Sequence, residues 1–300
     1  MRTLGAVLLI FALALGACRE QRTLDIDALA GRARGGDAAA CRQLVELLGV
    51  AENGVNDRVY PLLVELGPAM APYLLEQVNN GDRVRREHVI AALGSLKVAD
   101  AVAPVGAILT EARLERRYIA AWALGEIAEP AGLPFLLVAL DDADAEVRKY
   151  ATRSLIKLNR TAVPALLAYL PGAPERGAAG AIRALGDIGD AAALSALLAQ
   201  ATGPNRLDAF LALGKLKEPR AQAVLIAGLG DADWRVRMNA AMALGPVGGP
   251  EAVAPLRRTL DDPEHVVREW SARSLEVITG AHIQYRNEKG EMVSPYSIYH

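Results

Sequence analysis

Few side chains in this sequence have the type and spacing that catalysis or metal binding requires. The four histidines are His88, His265, His282 and His300, and no second histidine, cysteine or carboxylate recurs beside them at a metal-ligand spacing. The sequence also lacks a phosphate-binding loop, a nucleophile elbow and a zinc-spaced set of cysteines. It therefore predicts a protein that is not an enzyme and that binds no metal and no cofactor.

One cysteine does stand in a pattern with a chemical meaning. The chain starts with a short basic segment at residues 1–3, continues with an apolar run over residues 4–15, and reaches Cys18 after the small residues Gly16 and Ala17. The apolar run is shorter than the roughly 20 residues that span a bilayer. A basic start, a short apolar run and small residues before a cleavage site are typical of an export signal.

The end of this signal, Leu-Gly-Ala-Cys at residues 15–18, resembles the lipobox of bacterial lipoproteins. The resemblance implies that residues 1–17 are a signal peptide and that Cys18 carries the lipid, with palmitate among its acyl chains. Residues 18–36 would then be a lipidated N-terminus and linker, and the rest of the chain would lie in the periplasm. Arg19 is not the Asp that favours inner-membrane retention in enterobacterial lipoproteins, so the outer membrane is slightly favoured. An ordinary signal peptide that happens to end near a cysteine is the alternative.

The second cysteine, Cys41, stands in no such motif. It follows the alanines at residues 38–40 and lies close to Leu44, so it is predicted to be a small buried hydrophobic residue. An intermolecular disulfide in an oxidising envelope is the alternative. With Cys18 assigned to the lipid, the sequence offers no disulfide framework.

The rest of the chain repeats one motif about every thirty residues. The string Ala-Leu-Gly occurs five times between residues 92 and 245, and degenerate copies extend the pattern on both sides. The anchor leucines of these copies are spaced by 28 to 31 residues: Leu63, Leu93, Leu124, Leu155, Leu185, Leu213, Leu244 and Leu275. A second apolar residue stands fifteen positions before each of the last seven. This constant distance predicts a helical hairpin of fixed geometry, repeated along the chain.

Turn residues and prolines punctuate each predicted hairpin. Clusters of Asp, Asn, Gly and Pro separate the two helices, and Asp82, Asp144 and Asp233 are placed to cap the second helix of their hairpins. Prolines recur near the start of the first helix, where proline is tolerated. The glycine after the anchor leucine is expected to allow a close approach between helices.

The segment at residues 233–247 reads Asp-Trp-Arg-Val-Arg-Met-Asn-Ala-Ala-Met-Ala-Leu-Gly-Pro-Val and resembles the consensus of HEAT repeats, especially the short variety named after the phycobilisome lyases. The resemblance covers residues 37–280. It implies an all-α fold, a right-handed α-solenoid (an α-α superhelix) of about eight HEAT-like helical hairpins, which must stack because one hairpin cannot bury its apolar face alone. Residues 281–300 lie beyond the repeats and are predicted to form a loose hairpin that caps the core. A docking peptide is the alternative.

Arginine recurs seven positions before the anchor leucine, on the packed side of the second helix. It does so in six of the last seven hairpins, and Ala178 is the exception. An arginine at such a place lays its stem on apolar surface and pairs with turn carboxylates or carbonyls of an adjacent repeat. We therefore interpret these residues as a structural arginine ladder, with a basic ligand-binding ladder as the alternative. The ladder residues are Arg86, Arg117, Arg148, Arg206, Arg237 and Arg268.

The opposite arc of the second helix is expected to face the concave side of the superhelix. Its residues differ from hairpin to hairpin, as those of a binding surface would, and they include Trp, Tyr and Arg, the types enriched in binding hot spots. We call the predicted partner-binding residues the concave stripe: Trp122, Tyr150, Arg153, Arg183, Met242, Trp270 and Arg273. Packing of these large side chains against neighbouring helices is the alternative.

The lipobox, the repeat array and the variable stripe predict a membrane-anchored protein–protein interaction scaffold, or adaptor, of the bacterial cell envelope. Its partner would be an envelope protein of unknown identity, and its contact with the membrane would be the lipid anchor. The net charge of −2, with 33 basic and 35 acidic residues interspersed, gives no bias toward nucleic acid. The alternative is a chromophore- or small-ligand-handling enzyme like the phycobilin lyases, although those lyases work in compartments that an export signal would not reach.

Overall fold

The structure, a computed structural model, describes residues 25–111 and 116–295, whose regular secondary structure is almost entirely helical. The predicted signal peptide (1–17), Cys18 and the last five residues lie outside this part of the chain. Two short strands, β1 (Tyr285–Arg286) and β2 (Met292–Val293), pair antiparallel after the last helix. The helices are α1 (Ile26–Arg34), α2 (Ala38–Glu46), α3 (Val55–Leu66), α4 (Ala71–Leu75), α5 (Arg83–Ser95), α6 (Val102–Thr110), α7 (Tyr118–Ile127), α8 (Leu133–Ala139), α9 (Ala145–Leu158), α10 (Val163–Tyr169), α11 (Glu175–Ile188), α12 (Leu194–Gln200), α13 (Arg206–Leu216), α14 (Gln222–Gly228), α15 (Trp234–Val247), α16 (Pro250–Arg258) and α17 (His265–Thr279).

From α2 onward the described helices pair as eight hairpins, each with an even-numbered outer helix followed by an odd-numbered inner helix. Successive hairpins stack, and from α5 onward the inner helices pack on one another more extensively than the outer helices do. The array therefore curves with the inner helices on its concave side. The predicted all-α fold, an α-solenoid of about eight hairpins, is confirmed.

Small residues set how closely the inner helices approach one another. The anchor leucines are all buried, and the glycine after an anchor leucine lies against the alanine or serine that precedes the anchor of the next hairpin. A Cβ on Gly94 would be 2.9 Å from the Cα of Ala123, and a Cβ on Gly186 would be 2.7 Å from the Cα of Ala212. Any side chain at these positions would push neighbouring inner helices apart, so packing explains the repeated glycine.

The first helix corrects the predicted linker at residues 18–36, because residues 26–34 of that segment form α1. The Asp25 carboxylate accepts a hydrogen bond from the backbone N–H of Ala28 at 2.9 Å and caps the helix. Ile26 and Leu29 are buried in the core, and α1 packs against α2 and α3. This helix carries no copy of the repeated motif, so a search for repeats does not reveal it.

Aspartates cap several inner helices at their N-termini. Asp82 accepts hydrogen bonds from the backbone N–H groups of Val84 and Arg85, at 2.9 and 3.2 Å. Asp144 and Asp233 cap α9 and α15 in the same way. Hydrogen bonds from the side chain and the backbone N–H of Arg235 lower the pKa of Asp233 to about 2. The capping role predicted for these three aspartates is confirmed.

The strand pair closes the C-terminal end of the described solenoid. Ile283 and Tyr285 are buried against the core. The ladder residue Arg268 donates from Nε to the carbonyl of Arg286 at 2.6 Å and from Nη2 to the carbonyl of Asn287 at 3.1 Å. The described part of the predicted tail therefore covers the last hairpin, which is the place of a solenoid cap.

Candidate functional site

The ladder arginines cross the boundaries between hairpins. Nη1 and Nη2 of Arg117 lie 2.5 and 2.8 Å from the carboxylate oxygens of Asp142, in the turn of the next hairpin. Nε and Nη2 of Arg237 lie 2.7 and 2.9 Å from those of Asp262, again 25 residues later. Arg206 pairs with Asp231, and Arg86 lies 3.6 Å from Glu111, at the same separation in sequence. These guanidinium groups are thus used inside the protein, as the structural interpretation describes.

The charge pairs of the ladder change the pKa of the turn carboxylates. Burial opposes ionisation of Asp142, but hydrogen bonds from the side chain of Arg117 and the backbone N–H of Asp144 outweigh it, and the pKa of Asp142 lies below its ordinary value. Asp231 shows the same balance of burial against hydrogen bonds from Arg206 and the following turn, and its pKa is also lowered. Both carboxylates therefore favour the ionised form in the folded chain.

The ladder is interrupted at the fifth hairpin, α10–α11. Arg148 donates to the carbonyls of Asp142 and Ala143 in its own hairpin, at 2.7 and 2.9 Å, but Ala173 stands 25 residues later where a carboxylate would be needed. Ala178 replaces the arginine in α11. The interface between α9 and α11 is also less extensive than the other contacts between neighbouring inner helices from α5 to α17.

The N-terminal part of the concave stripe forms an aromatic and basic cluster. The ring of Trp122 is half-buried and lies over Gly94 of the preceding inner helix, where an added Cβ would be 3.1 Å from its Cζ3. Tyr150 stacks on Tyr118 with ring centroids 4.9 Å apart. The exposed guanidinium of Arg153 lies over the Tyr150 ring, 5.6 Å from its centroid. The structure therefore brings Tyr150 and Arg153 into direct contact.

The C-terminal part of the stripe is partly neutralised by intramolecular ion pairs. The guanidinium of Arg273 lies 4.8 Å from the Trp270 ring centroid and pairs with Glu269 at 2.5 Å. Arg183 is exposed, and its Nη2 lies 3.2 Å from the carboxylate of Asp208 in the next inner helix. Met242 is half-buried on α15, between these two pairs. Helices α11 and α13 separate Met242, Trp270 and Arg273 from the cluster at Tyr150.

The repeated hairpins match a known protein family. A family model for HEAT repeats matches residues 71–156, 133–209 and 204–276, which together run from α4 into α17. The chain belongs to the HEAT-repeat family. No match is found among curated proteins.

Several solved structures are similar to this HEAT-repeat protein at low sequence identity. The structure of Kap121p bound to Nup53p matches with a TM-score of 0.60 at 15% identity and covers 80% of this chain and 33% of that one. Human deoxyhypusine hydroxylase in complex with glycerol matches with a TM-score of 0.36 at 22% identity, over 85% of this chain and 100% of that one. The CpcE and CpcF complex of phycocyanin lyase from Nostoc sp. PCC7120 matches with a TM-score of 0.36 at 24% identity, over 68% of this chain and 86% of that one. At 15% identity, the likeness to Kap121p is one of fold.

The concave face carries further exposed or half-buried residues that the stripe does not include. Lys149 and Lys157 are exposed on α9, one helical turn before and after Arg153. Met238 lies one turn before Met242 on α15 and is half-buried. The sequence could have placed these residues on the concave face, because side chains four positions apart lie on the same face of a helix.

A cleft of about 380 Å³ opens at the N-terminal end of the concave face, between α3, α5 and the start of α7. The buried carboxylate of Glu87 lies at its wall and pairs with Arg116, with Nε and Oε2 3.0 Å apart. Tyr60 and His88 also line the cleft. Its volume lies in the range of small-molecule pockets.

The described part of the chain holds no cluster of metal ligands and no membrane-spanning helix. Within residues 25–111 and 116–295, no three His, Cys, Asp or Glu side chains converge in a way that could hold a metal ion. Among the helices of those residues, none combines the length and apolarity needed to cross a bilayer. Cys41 is buried there and takes part in no disulfide, and burial raises the pKa of its thiol.

Proposed function

We propose that this HEAT-repeat protein is a scaffold of the bacterial cell envelope that is anchored through a lipidated Cys18 and binds a protein partner along its concave face. The proposal is supported by a contrast between the recurring and the variable residues of the inner helices. The recurring arginines and glycines are used by packing, whereas the exposed positions of the concave face differ in chemistry from one hairpin to the next. Trp122, Tyr150 and Arg153 offer the side-chain types that dominate binding hot spots.

The fold supports a role in binding proteins. Stacked helical hairpins create extended concave surfaces, which are the surfaces that repeat proteins use for binding. In the solved structure that shares this fold at a TM-score of 0.60, Kap121p is bound to Nup53p. By analogy, we infer that an envelope protein occupies the groove of this chain in the periplasm, with the outer membrane slightly favoured as the site of anchoring.

The scaffold proposal is tested by charge reversal on the concave face. We expect the double variant Arg153→Glu and Arg183→Glu to lose most of the proteins that co-purify with the intact chain from its host. The matched control is Arg257→Glu with Arg258→Glu, because both residues are exposed arginines on the outer helix α16. Equal recovery of the same proteins by both variants, at equal thermal stability, would contradict binding along the concave face.

The anchor is tested separately at Cys18. The variant Cys18→Ala should leave the membrane fraction, and a radiolabelled palmitate that marks the intact chain should fail to label it. A single acyl chain binds membranes only weakly, so stable fractionation depends on several chains at this residue. Unchanged labelling and unchanged membrane association of Cys18→Ala would reject the lipid anchor and leave the concave-face proposal standing.

A second candidate function is the handling of a chromophore or another small ligand, for which the cleft at Glu87 has a sufficient volume. Native mass spectrometry and absorption spectroscopy of the purified chain would reveal such a ligand. The variant Glu87→Gln should then weaken its binding, because it removes the negative charge of the buried carboxylate in the cleft wall. A purified chain that carries no bound mass and no visible absorption would dispose of this candidate.

A further inference from the structure

From α7 to α15, each inner helix presents one line of side chains to the groove. The line consists of the residues six and two positions before the anchor leucine and two positions after it, which are four residues apart and therefore lie on one face. From α7 to α15 the lines are Tyr118, Trp122 and Glu126; Lys149, Arg153 and Lys157; Ala179, Arg183 and Asp187; Leu207, Leu211 and Lys215; and Met238, Met242 and Pro246. The first two positions of these lines are aromatic on α7, basic on α9 and apolar on α13 and α15.

The line on α9 is basic, and all three of its side chains are exposed. Lys149 pairs with Glu146 at 3.0 Å, and Lys157 pairs with Glu126. Arg153 has only the Tyr150 ring beside it, since no carboxylate of the described residues pairs with it. The neighbouring α11 adds Arg183, whose charge Asp208 neutralises. The guanidinium of Arg153 is thus held over the Tyr150 ring at the centre of the groove and can pair with an anion of a partner.

The lines on α13 and α15 are apolar in their first two positions. Leu207, Leu211, Met238 and Met242 are each half-buried, so their apolar surface is only partly covered by the protein itself. Methionine is flexible and polarisable and adapts to apolar side chains of different shapes. Two ion pairs border these side chains: Arg183 with Asp208, beside Leu211, and Lys215 with Asp187, one turn further along the helices. This half of the groove fits an apolar partner surface.

We infer that the partner enters the groove as one short segment with acidic residues at α9 and apolar residues at α13 and α15. This inference rests on the proposed function and states the chemistry of its partner. Three helix-to-helix steps of 8–10 Å separate α9 from α15, which is about 25–30 Å. An extended chain covers that distance in about eight or nine residues. The acidic and apolar parts of the segment therefore lie within one such stretch of sequence.

The test is a selection from a random twelve-residue peptide library on the purified full chain. Selected peptides should carry an acidic cluster and an apolar cluster separated along the peptide, and their binding should weaken as salt is raised. The double variant Lys149→Glu and Arg153→Glu should bind them at least about tenfold more weakly. The control, Arg257→Glu with Arg258→Glu, should bind them as the unaltered chain does. Met242→Ser should also weaken binding, whereas Val138→Ser, at an exposed position of the outer helix α8, should not.

Several results would overturn the inference. These are selected peptides that are neutral or basic, peptides whose binding survives the reversal at Lys149 and Arg153, and a selection that yields no binders. If the reversal at Arg153 and Arg183 still removes co-purifying proteins, the scaffold proposal stands and only the acidic–apolar segment is rejected. If that reversal removes nothing, the proposed function itself fails.

Discussion

The pair between Arg237 and Asp262 offers a direct test of how neighbouring hairpins are held together. Asp262 is only 8% exposed. Its carboxylate accepts two hydrogen bonds from Arg237 and a third from the backbone N–H of Glu264 at 2.9 Å. Substitution Asp262→Ala removes all three bonds. It also leaves the guanidinium of Arg237 with its two carbonyl acceptors, at Asp231 and Ala232, but without an opposite charge.

The expected loss of stability follows from these contacts. Breaking one partner of a buried ion pair costs about 3–5 kcal/mol. The two carbonyl contacts and the partial exposure of Arg237 reduce that figure, while the lost bond to Glu264 adds about 1 kcal/mol. We therefore expect Asp262→Ala to lower the free energy of unfolding by about 3 kcal/mol, a large part of the 5–15 kcal/mol typical of a folded domain.

The assay is urea unfolding followed by circular dichroism, with Arg237→Met and the double variant completing a double-mutant cycle. The control is Asp208→Ala, because Asp208 pairs with the exposed Arg183, and such pairs contribute about 0–1 kcal/mol. A loss below about 1 kcal/mol for Asp262→Ala, or a loss equal to that of the control, would refute the reasoning about the ladder.

Three other predictions concern the arginine ladder and the end of α7. Ala173→Asp should raise the free energy of unfolding by about 1 kcal/mol, because it supplies the carboxylate that Arg148 lacks; no gain, or the same gain when Arg148 is replaced by Met, would contradict this. Ala128→Gly should also raise stability, by about 1 kcal/mol in urea unfolding, since Ala128 ends α7 with φ 61°, a left-handed conformation that glycine adopts without strain. The lowered pKa of Asp142 means that its charge stabilises the fold above the unfolded pKa of about 3.9 and that this contribution disappears as pH falls through the folded pKa. Urea midpoints measured from pH 6 to pH 3 should therefore fall in the acid range, and they should fall less steeply for Asp142→Asn.

The repeat and its hairpin geometry could be predicted because packing between neighbouring hairpins requires the same motif in each copy. The glycine after the anchor leucine must face the small residue of the next hairpin, as Gly94 faces Ala123, so the string cannot vary freely. Helix α1 could not be predicted in the same way, because it packs on the first hairpin through Ile26 and Leu29 without repeating the motif.

The concave stripe was only partly readable from the sequence. Arg153 and Arg183 occupy equivalent positions, but only Arg183 has a carboxylate beside it, and Asp208 reaches it through the stacking of two hairpins. The pair between Glu269 and Arg273 was readable, since the two residues are four positions apart on one helix. Asn239 shares its helical position with Tyr150 yet is buried, because this position turns toward the preceding hairpin.

The central claim, that a protein occupies the concave face, is tested most directly by photo-crosslinking in the native host. A photoreactive residue is placed at position 122, 150 or 270 of the otherwise intact chain, and the adducts are identified by mass spectrometry. One envelope protein that dominates the adducts from several of these positions is the predicted result. Adducts that arise only from the outer helices or the C-terminal hairpin would contradict the claim and would assign Trp122 and Trp270 to packing alone.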